Sequence, residues 1–193
     1  DDTSADGAKQ RDGFYRPEGY SLSGRGSGKR TFTIRKDGPS IVDIDLSDAN
    51  DVVVGLYNVA STERVNIVKV ENKTSFSTED LVDLAKNEHR LLVQGDVGEW
   101  SIDVYPMTDD IESSDNAYAA SLPFSASHNS PRVLGPLRLD PTFPIKLDLD
   151  FEPQGVYTIS AYGESGVRGS EIISLSDQTG YEKVIEDRGD GVG

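Results

Sequence analysis

The stretch from Thr31 to Phe76 recurs as Pro136 to Tyr181, at a constant offset and without a gap. Val42-Asp43-Ile44-Asp45-Leu46 falls on Leu147-Asp148-Leu149-Asp150-Phe151, Val52-Val53-Val54 on Tyr157-Thr158-Ile159, and Ile67-Val68-Lys69-Val70 on Ile172-Ile173-Ser174-Leu175. Pro39, Asp43, Asp45, Tyr57, Ile67 and Thr74 meet identical residues. The matched alternation constrains the fold more than the identities do. Successive side chains of a strand point to opposite faces, so a shared period of two preserves which residues face inward. Val42, Ile44 and Leu46 then share an inner face, while Asp43 and Asp45 share a solvated one. This is the pattern of a half-buried antiparallel strand.

The rest of the chain extends that pattern. Short β-branched and aromatic runs are bounded by Gly, Pro, Asn and Asp turns, as in a β-sandwich. Ser77 to Glu88 carries two patterns. Ser77-Thr78-Glu79-Asp80 has the composition of a helix start, whereas Val82 and Leu84 alternate as in a strand. The strand is the expectation, because its neighbours are strands. Trp100, Ile102 and Val104 form a closing strand, with Trp100 as a core plug and, alternatively, a sugar-stacking platform. After Tyr181, the match of Phe76, only about a dozen residues follow. The second copy therefore lacks its closing hairpin.

These readings give an all-β chain of two tandem jelly-roll-like antiparallel sandwiches, the second incomplete at its C-terminus. The expected boundaries are a flexible arm over 1–19, a first sandwich over 20–106, a linker over 107–120 and a truncated repeat over 121–193. An incomplete sandwich exposes a sheet edge, a place for a partner strand or for a homo-oligomer.

Charge narrows the setting. Asp and Glu number 34 against 19 Lys and Arg, a net charge of −15. Such self-repulsion costs stability in dilute buffer. In molar salt, where the Debye length shrinks to about 3 Å, the cost largely vanishes. The acidic residues are spread along both repeats, which reads as the salt adaptation of a halophile. The same balance argues against nucleic acid and anionic lipid as partners. Cys is absent, which excludes disulfides and thiol chemistry. No apolar run approaches the length of a membrane span.

Candidate chemistry is sparse. Ser21 to Lys29 is Gly-rich but departs from a phosphate loop, with Ser23 where Gly is needed and Arg30 after Lys29. It belongs to the one basic stretch (Arg25, Lys29, Arg30, Arg35, Lys36). Its expected role is to pair with nearby carboxylates; Arg25, Lys29, Arg30 and Trp100 are also candidates for docking an acidic partner or a glycan. Asp43 with Asp45, and Asp148 with Asp150, place carboxylates about 6.5–7 Å apart along a strand. Calcium is the one cofactor that spacing suits, if loop oxygens complete its shell. A solvated acidic face is the simpler expectation. His89 and His128 lack metal-ligand spacing. Gly163-Glu164-Ser165-Gly166-Val167 misses the last Gly of a nucleophile elbow. Asn72-Lys73-Thr74 is a glycosylation acceptor tripeptide in an expected surface loop. Arg188-Gly189-Asp190 is read as a chance match.

Leu56-Tyr57 at a strand end, Arg90-Leu91-Leu92-Val93, and the strand Gly98-Glu99-Trp100-Ser101-Ile102-Asp103-Val104 resemble the pre-peptidase C-terminal-type jelly-roll domains of secreted and cell-surface proteins. The resemblance covers 20–106 and, in part, 121–185. It implies an extracellular, non-catalytic accessory module. Three expectations follow: a non-enzymatic surface module contacting other surface proteins or glycans; a subunit of a surface layer, filament or virion built by strand exchange; or accessory domains of a secreted hydrolase.

Overall fold

A computed structural model describes residues 5–6, 9–11, 14–16, 18–61, 64–107, 132–133, 145–150, 156–162, 168–176 and 180–185. Every regular element among them is a strand, so the chain is all-β. None of the described residues forms a helix long and apolar enough to cross a membrane. The chain divides into two compact units, 1–137 and 138–193.

The first unit contains β1 (Ala5–Asp6), β2 (Lys9–Arg11), β3 (Phe14–Arg16), β4 (Gly19–Arg25), β5 (Gly28–Thr33), β6 (Gly38–Asn58), β7 (Arg64–Val70), β8 (Lys73–Leu84), β9 (Glu88–Asp96) and β10 (Glu99–Pro106). All their pairings are antiparallel. One group runs β1-β4-β10-β6-β8 and the other β5-β9-β6-β7. β2 and β3 pair as a separate hairpin. The long strand β6 belongs to both groups. Its first half, to Ala49, bonds β8 and β10; its second half, from Asn50, bonds β9 and β7.

The change of partner coincides with a bend. Asp48 (φ 47°) and Asp51 (φ 51°) adopt the left-handed conformation, which Asp tolerates better than β-branched residues do. Gly95 (φ 121°) lies against this bend. A Cβ there would stand 2.3 Å from the Asp51 carbonyl oxygen, so only Gly fits.

The inner residues of both groups meet in one core. Val42, Ile44 and Leu46 of the first half of β6 join Val52, Val54 and Leu56 of the second, with Leu91 and Val93 from β9 and Ile102 and Val104 from β10. The inward residues expected from alternation are therefore the observed ones. Ser77 to Leu84 is strand rather than helix: β8 pairs with β6 from Gly38↔Leu84 to Ala49↔Lys73.

The Gly-rich stretch has a packing role. Trp100 is 2% exposed, and its Nε1 donates to the Gly26 carbonyl at 2.9 Å. A Cβ on Gly24 would lie 2.4 Å from the indole Cζ2, and one on Gly28 would lie 3.0 Å from it. The glycines of the β4–β5 turn thus make room for the indole. The Arg30 guanidinium covers the ring at 5.5 Å.

The second unit contains β11 (Ile145–Asp150), β12 (Val156–Tyr162), β13 (Arg168–Ser176) and β14 (Gly180–Ile185). Its pairings bear on the repeat. Val52↔Val70 and Val54↔Val68 in the first unit map onto Tyr157↔Leu175 and Ile159↔Ile173, all of them observed. The irregularity between Val54 and Gly55 recurs between Ile159 and Ser160. β11 pairs with β14 as the first half of β6 pairs with β8, slid by two residues, a shift that keeps every side chain on its face. The slide puts Asp148 opposite Glu182, as Asp43 stands opposite Glu79. Of the expected linker over 107–120 only Met107 is described, buried beside Ile41 and Tyr105; 108–120, His128, Gly163 to Val167 and Arg188 to Asp190 lie outside the described residues.

Candidate functional site

The outer face of β8-β6-β10 is built in rows. Antiparallel register aligns Tyr105↔Ile41↔Leu81, then Asp103↔Asp43↔Glu79, then Ser101↔Asp45↔Ser77. The face therefore carries an apolar row beside an acidic one. Directly opposed carboxylates repel, so burying Asp43 and Glu79 requires cations.

Two arginines supply them. The Arg16 Nη2 lies 3.4 Å from Glu79 Oε2, with both side chains at 2% exposure or less. The Arg132 Nη1 lies 3.4 Å from Asp43 Oδ1 and 3.8 Å from Glu79 Oε1. Its Nη2 donates to Ser77 Oγ at 3.1 Å. The backbone of Val133 is held at both ends. Its N–H donates to Glu79 Oε2 at 3.0 Å, and its carbonyl accepts from Arg16 Nη2 at 2.7 Å. The Val133 side chain packs on the apolar row with Ile41, Leu81, Tyr105 and Met107. Tyr105 OH donates to Asp103 Oδ2 at 3.1 Å, which orients the acidic row's outer end.

Two anions thus face two guanidinium groups, and one residue's peptide group is bracketed between an acceptor and a donor. The arrangement fixes a segment of chain on a sheet. Truncating one partner of such a buried set strands the others, which costs far more than a surface ion pair contributes.

The expected solvated carboxylate face is thus only half solvated. Asp45 is exposed and Asp43 is 2% exposed, with Arg132 set against the latter. The Oδ1 of Asp43 faces Arg132. Among the described residues no group of three or more His, Cys, Asp or Glu side chains gathers as a metal site. Asp148 and Asp150 lie on β11, opposite Glu182 and Gly180.

The other sequence candidates lie apart from this site. Arg25 pairs with Glu99 at 2.9 Å, both exposed. Lys29 is exposed, and Arg30 donates to the Ser23 carbonyl at 2.8 Å as well as covering Trp100. Trp100 lies in the core, so its ring serves packing. Asn72 (φ 51°) is exposed in the turn between β7 and β8, with Thr74 exposed beside it. His89 stacks on Phe32 at 5.7 Å, and its Nε2 lies 2.8 Å from the Ala85 carbonyl. An open depression of ≈ 270 Å³ is lined by Tyr20, Thr31, Phe32, Thr33, Arg35 and Glu88.

Sequence reasoning did not single out Arg16, Glu79, Arg132 or Val133. One signal was present. Ile41-Val42, Leu81-Val82 and Val104-Tyr105 are adjacent apolar pairs, and a strand with such a pair buries both faces there.

Fold and site together define an antiparallel, sandwich-like β-module with a chain segment clasped to its outer face. No family model and no curated protein matches the chain. Among solved structures it is similar to the pre-peptidase C-terminal domain of a collagenase from Bacillus anthracis, at 11% identity and a TM-score of 0.32, over 44% of this chain and 85% of that one. It is also similar to a 4-O-methyl-α-glucuronidase with specificity for decorated arabinogalactans (15% identity, TM-score 0.31, 53% of this chain and 16% of that one). A third is the capsular polysaccharide assembling protein CapF from Staphylococcus aureus (16%, 0.29, 49% and 25%). The all-β assignment rests on the strands themselves.

Proposed function

We propose that this chain is a non-catalytic β-module of a salt-adapted cell, exported to its surface, and that it works by contact: attachment, or recognition of a glycan or another protein. The clasp carries this reading. Asp43 and Glu79 are buried, and their charge is directed at guanidinium groups and at the Val133 N–H. That is the chemistry of holding a chain, since the carboxylates are engaged by the protein's own cations. The net charge of −15 supports a salt-rich setting.

The test is retention of the purified chain, in molar KCl, on a glycan array and on envelope protein from a halophile. Saturable retention on either supports the reading. Turnover of a polysaccharide or peptide substrate by this chain alone would overturn it.

A second reading is favoured by β11 and β12. Among the described residues each pairs along one edge, with β14 and β13, whereas the matching halves of β6 pair along both. A strand from a neighbouring copy would complete them, giving a subunit assembled by strand exchange. Sedimentation in molar KCl decides: oligomers that grow with concentration support it, and a monomer at every concentration removes it.

A further inference from the structure

We propose that the outer face of β6, β8 and β10 is a docking site for an Arg–aliphatic segment, that Arg132–Val133 is its internal occupant, and that the same segment of a second copy of this chain can take its place. The inference rests on reading the module as one that works by contact, and it names the partner of the clasp.

The site reads each part of its occupant separately. The Arg132 guanidinium meets Asp43, Glu79 and Ser77. The Val133 side chain meets the apolar row of Ile41, Leu81 and Tyr105, with Met107. The Val133 peptide groups meet Glu79 and Arg16. Main-chain hydrogen bonds give affinity and side-chain contacts give specificity in peptide recognition, and both are present here. The receiving carboxylates are themselves buried, so the site is built and not a chance surface contact. Their two negative charges favour a cationic occupant even though the chain as a whole is strongly acidic.

The exchange follows from chain length. Twenty-four residues, 108–131, separate Met107 from Arg132, and such a stretch reaches up to about 80 Å when extended. A connection of that length is long enough to reach the site of a neighbouring copy. It holds the segment at an effective concentration of about millimolar, which a neighbouring copy matches when chains are crowded on a surface. Exchange of an identical element between protomers is a low-cost route to dimers.

The experiment uses the full chain and a fluorescein-labelled hexapeptide, Ser130-Pro131-Arg132-Val133-Leu134-Gly135, in molar KCl. The double variant Arg132→Ser with Val133→Asp vacates the site, and Trp100 fluorescence reports that the first unit remains folded. Saturable peptide binding is expected to the vacated chain, at least ten-fold weaker to the wild type, and lost when Glu79→Gln is added. No binding to the vacated chain, or equal binding to vacated and wild-type chains, overturns the proposal. If the double variant does not fold, Arg132→Lys keeps a cation in place but loses the guanidinium fork. Its weakened occupant should admit the peptide better than the wild type does, and failure to do so overturns the proposal equally. Failure of the peptide alone, with retention on glycan or envelope protein intact, removes this inference and leaves the contact function standing.

Discussion

The strand series β6-β7-β8 and β11-β12-β13-β14 agree where backbone pairing is concerned. Both set Asp opposite Glu, at Asp43↔Glu79 and Asp148↔Glu182, and both break register at matching places, Val54/Gly55 and Ile159/Ser160. They disagree in the residues that lead into them. Gly24, Gly26 and Gly28, which seat Trp100, correspond to Asn129, Pro131 and Val133. In the first copy these positions make a turn around an indole. In the second, Val133 lies at the clasp on the first unit. Register follows from a period-two pattern and survives divergence. What covers a sheet face depends on distant segments and does not.

The largest effect is expected at the acid pair. Glu79→Ala strands Arg16 and Arg132 in a buried site, and should destabilise the first unit by about 3–5 kcal/mol. Urea unfolding in molar KCl measures this; a loss below about 1 kcal/mol would match a surface pair and remove the clasp's structural role. Gly24→Val tests the Trp seat, where the new Cβ would lie 2.4 Å from the indole. Overpacking of this kind costs about 1–3 kcal/mol, with a red-shifted Trp100 emission. The matching Asn129→Val should leave that emission unchanged, and a shift there would contradict the divergence of the two lead-ins.

Glu182→Gln should act with the opposite sign to Glu79→Ala. Asp148 and Glu182 stand directly opposite, and relief of like-charge repulsion there should stabilise by about 0.2–1 kcal/mol at low salt. Thermal melts in dilute buffer and in molar KCl check it, since screening should erase the gain. A marked loss instead would show that the second pair is clasped like the first.

The smallest effect is expected at Lys69. Hydrogen bonding to Glu71, with the charges of Glu71 and Asp51, raises the Lys69 ammonium above its ordinary value of 10.5. A raised folded value means that its stabilisation is complete below 10.5 and fades as pH climbs through the higher folded value. The group is fully exposed, so Lys69→Met should barely move the melting temperature at neutral pH, and the difference should shrink further in strong alkali. A large shift at neutral pH would mean that β7 depends on this pair.

The strands were legible because their information is local. Val42, Ile44 and Leu46 alternate within five residues, and β8 was readable from Val82 and Leu84 between strand neighbours. The Gly-rich stretch was not legible as two strands, β4 and β5, joined by a tight turn, nor as the seat of Trp100, which lies far along the chain. The clasp was illegible for the same reason. Asp43 has the sequence surroundings of a solvated carboxylate, and only Arg132 on Asp43 and Arg16 on the neighbouring Glu79, both distant in sequence, make the pair a buried one. Adjacent apolar pairs such as Ile41-Val42 mark that a second face is covered without saying by what.

The double membership of β6 bears on how the chain is made. As synthesis proceeds from the N-terminus, β6 emerges before every strand that bonds it, and β10 is complete only at Pro106. Until then one edge of its first half has no native partner to bond. Pairings this distant in sequence are slow to form, and an open edge invites strangers. Asp43, Asp45 and Asp48 lie along that waiting strand. Before they serve the finished molecule, their charges guard a nascent one.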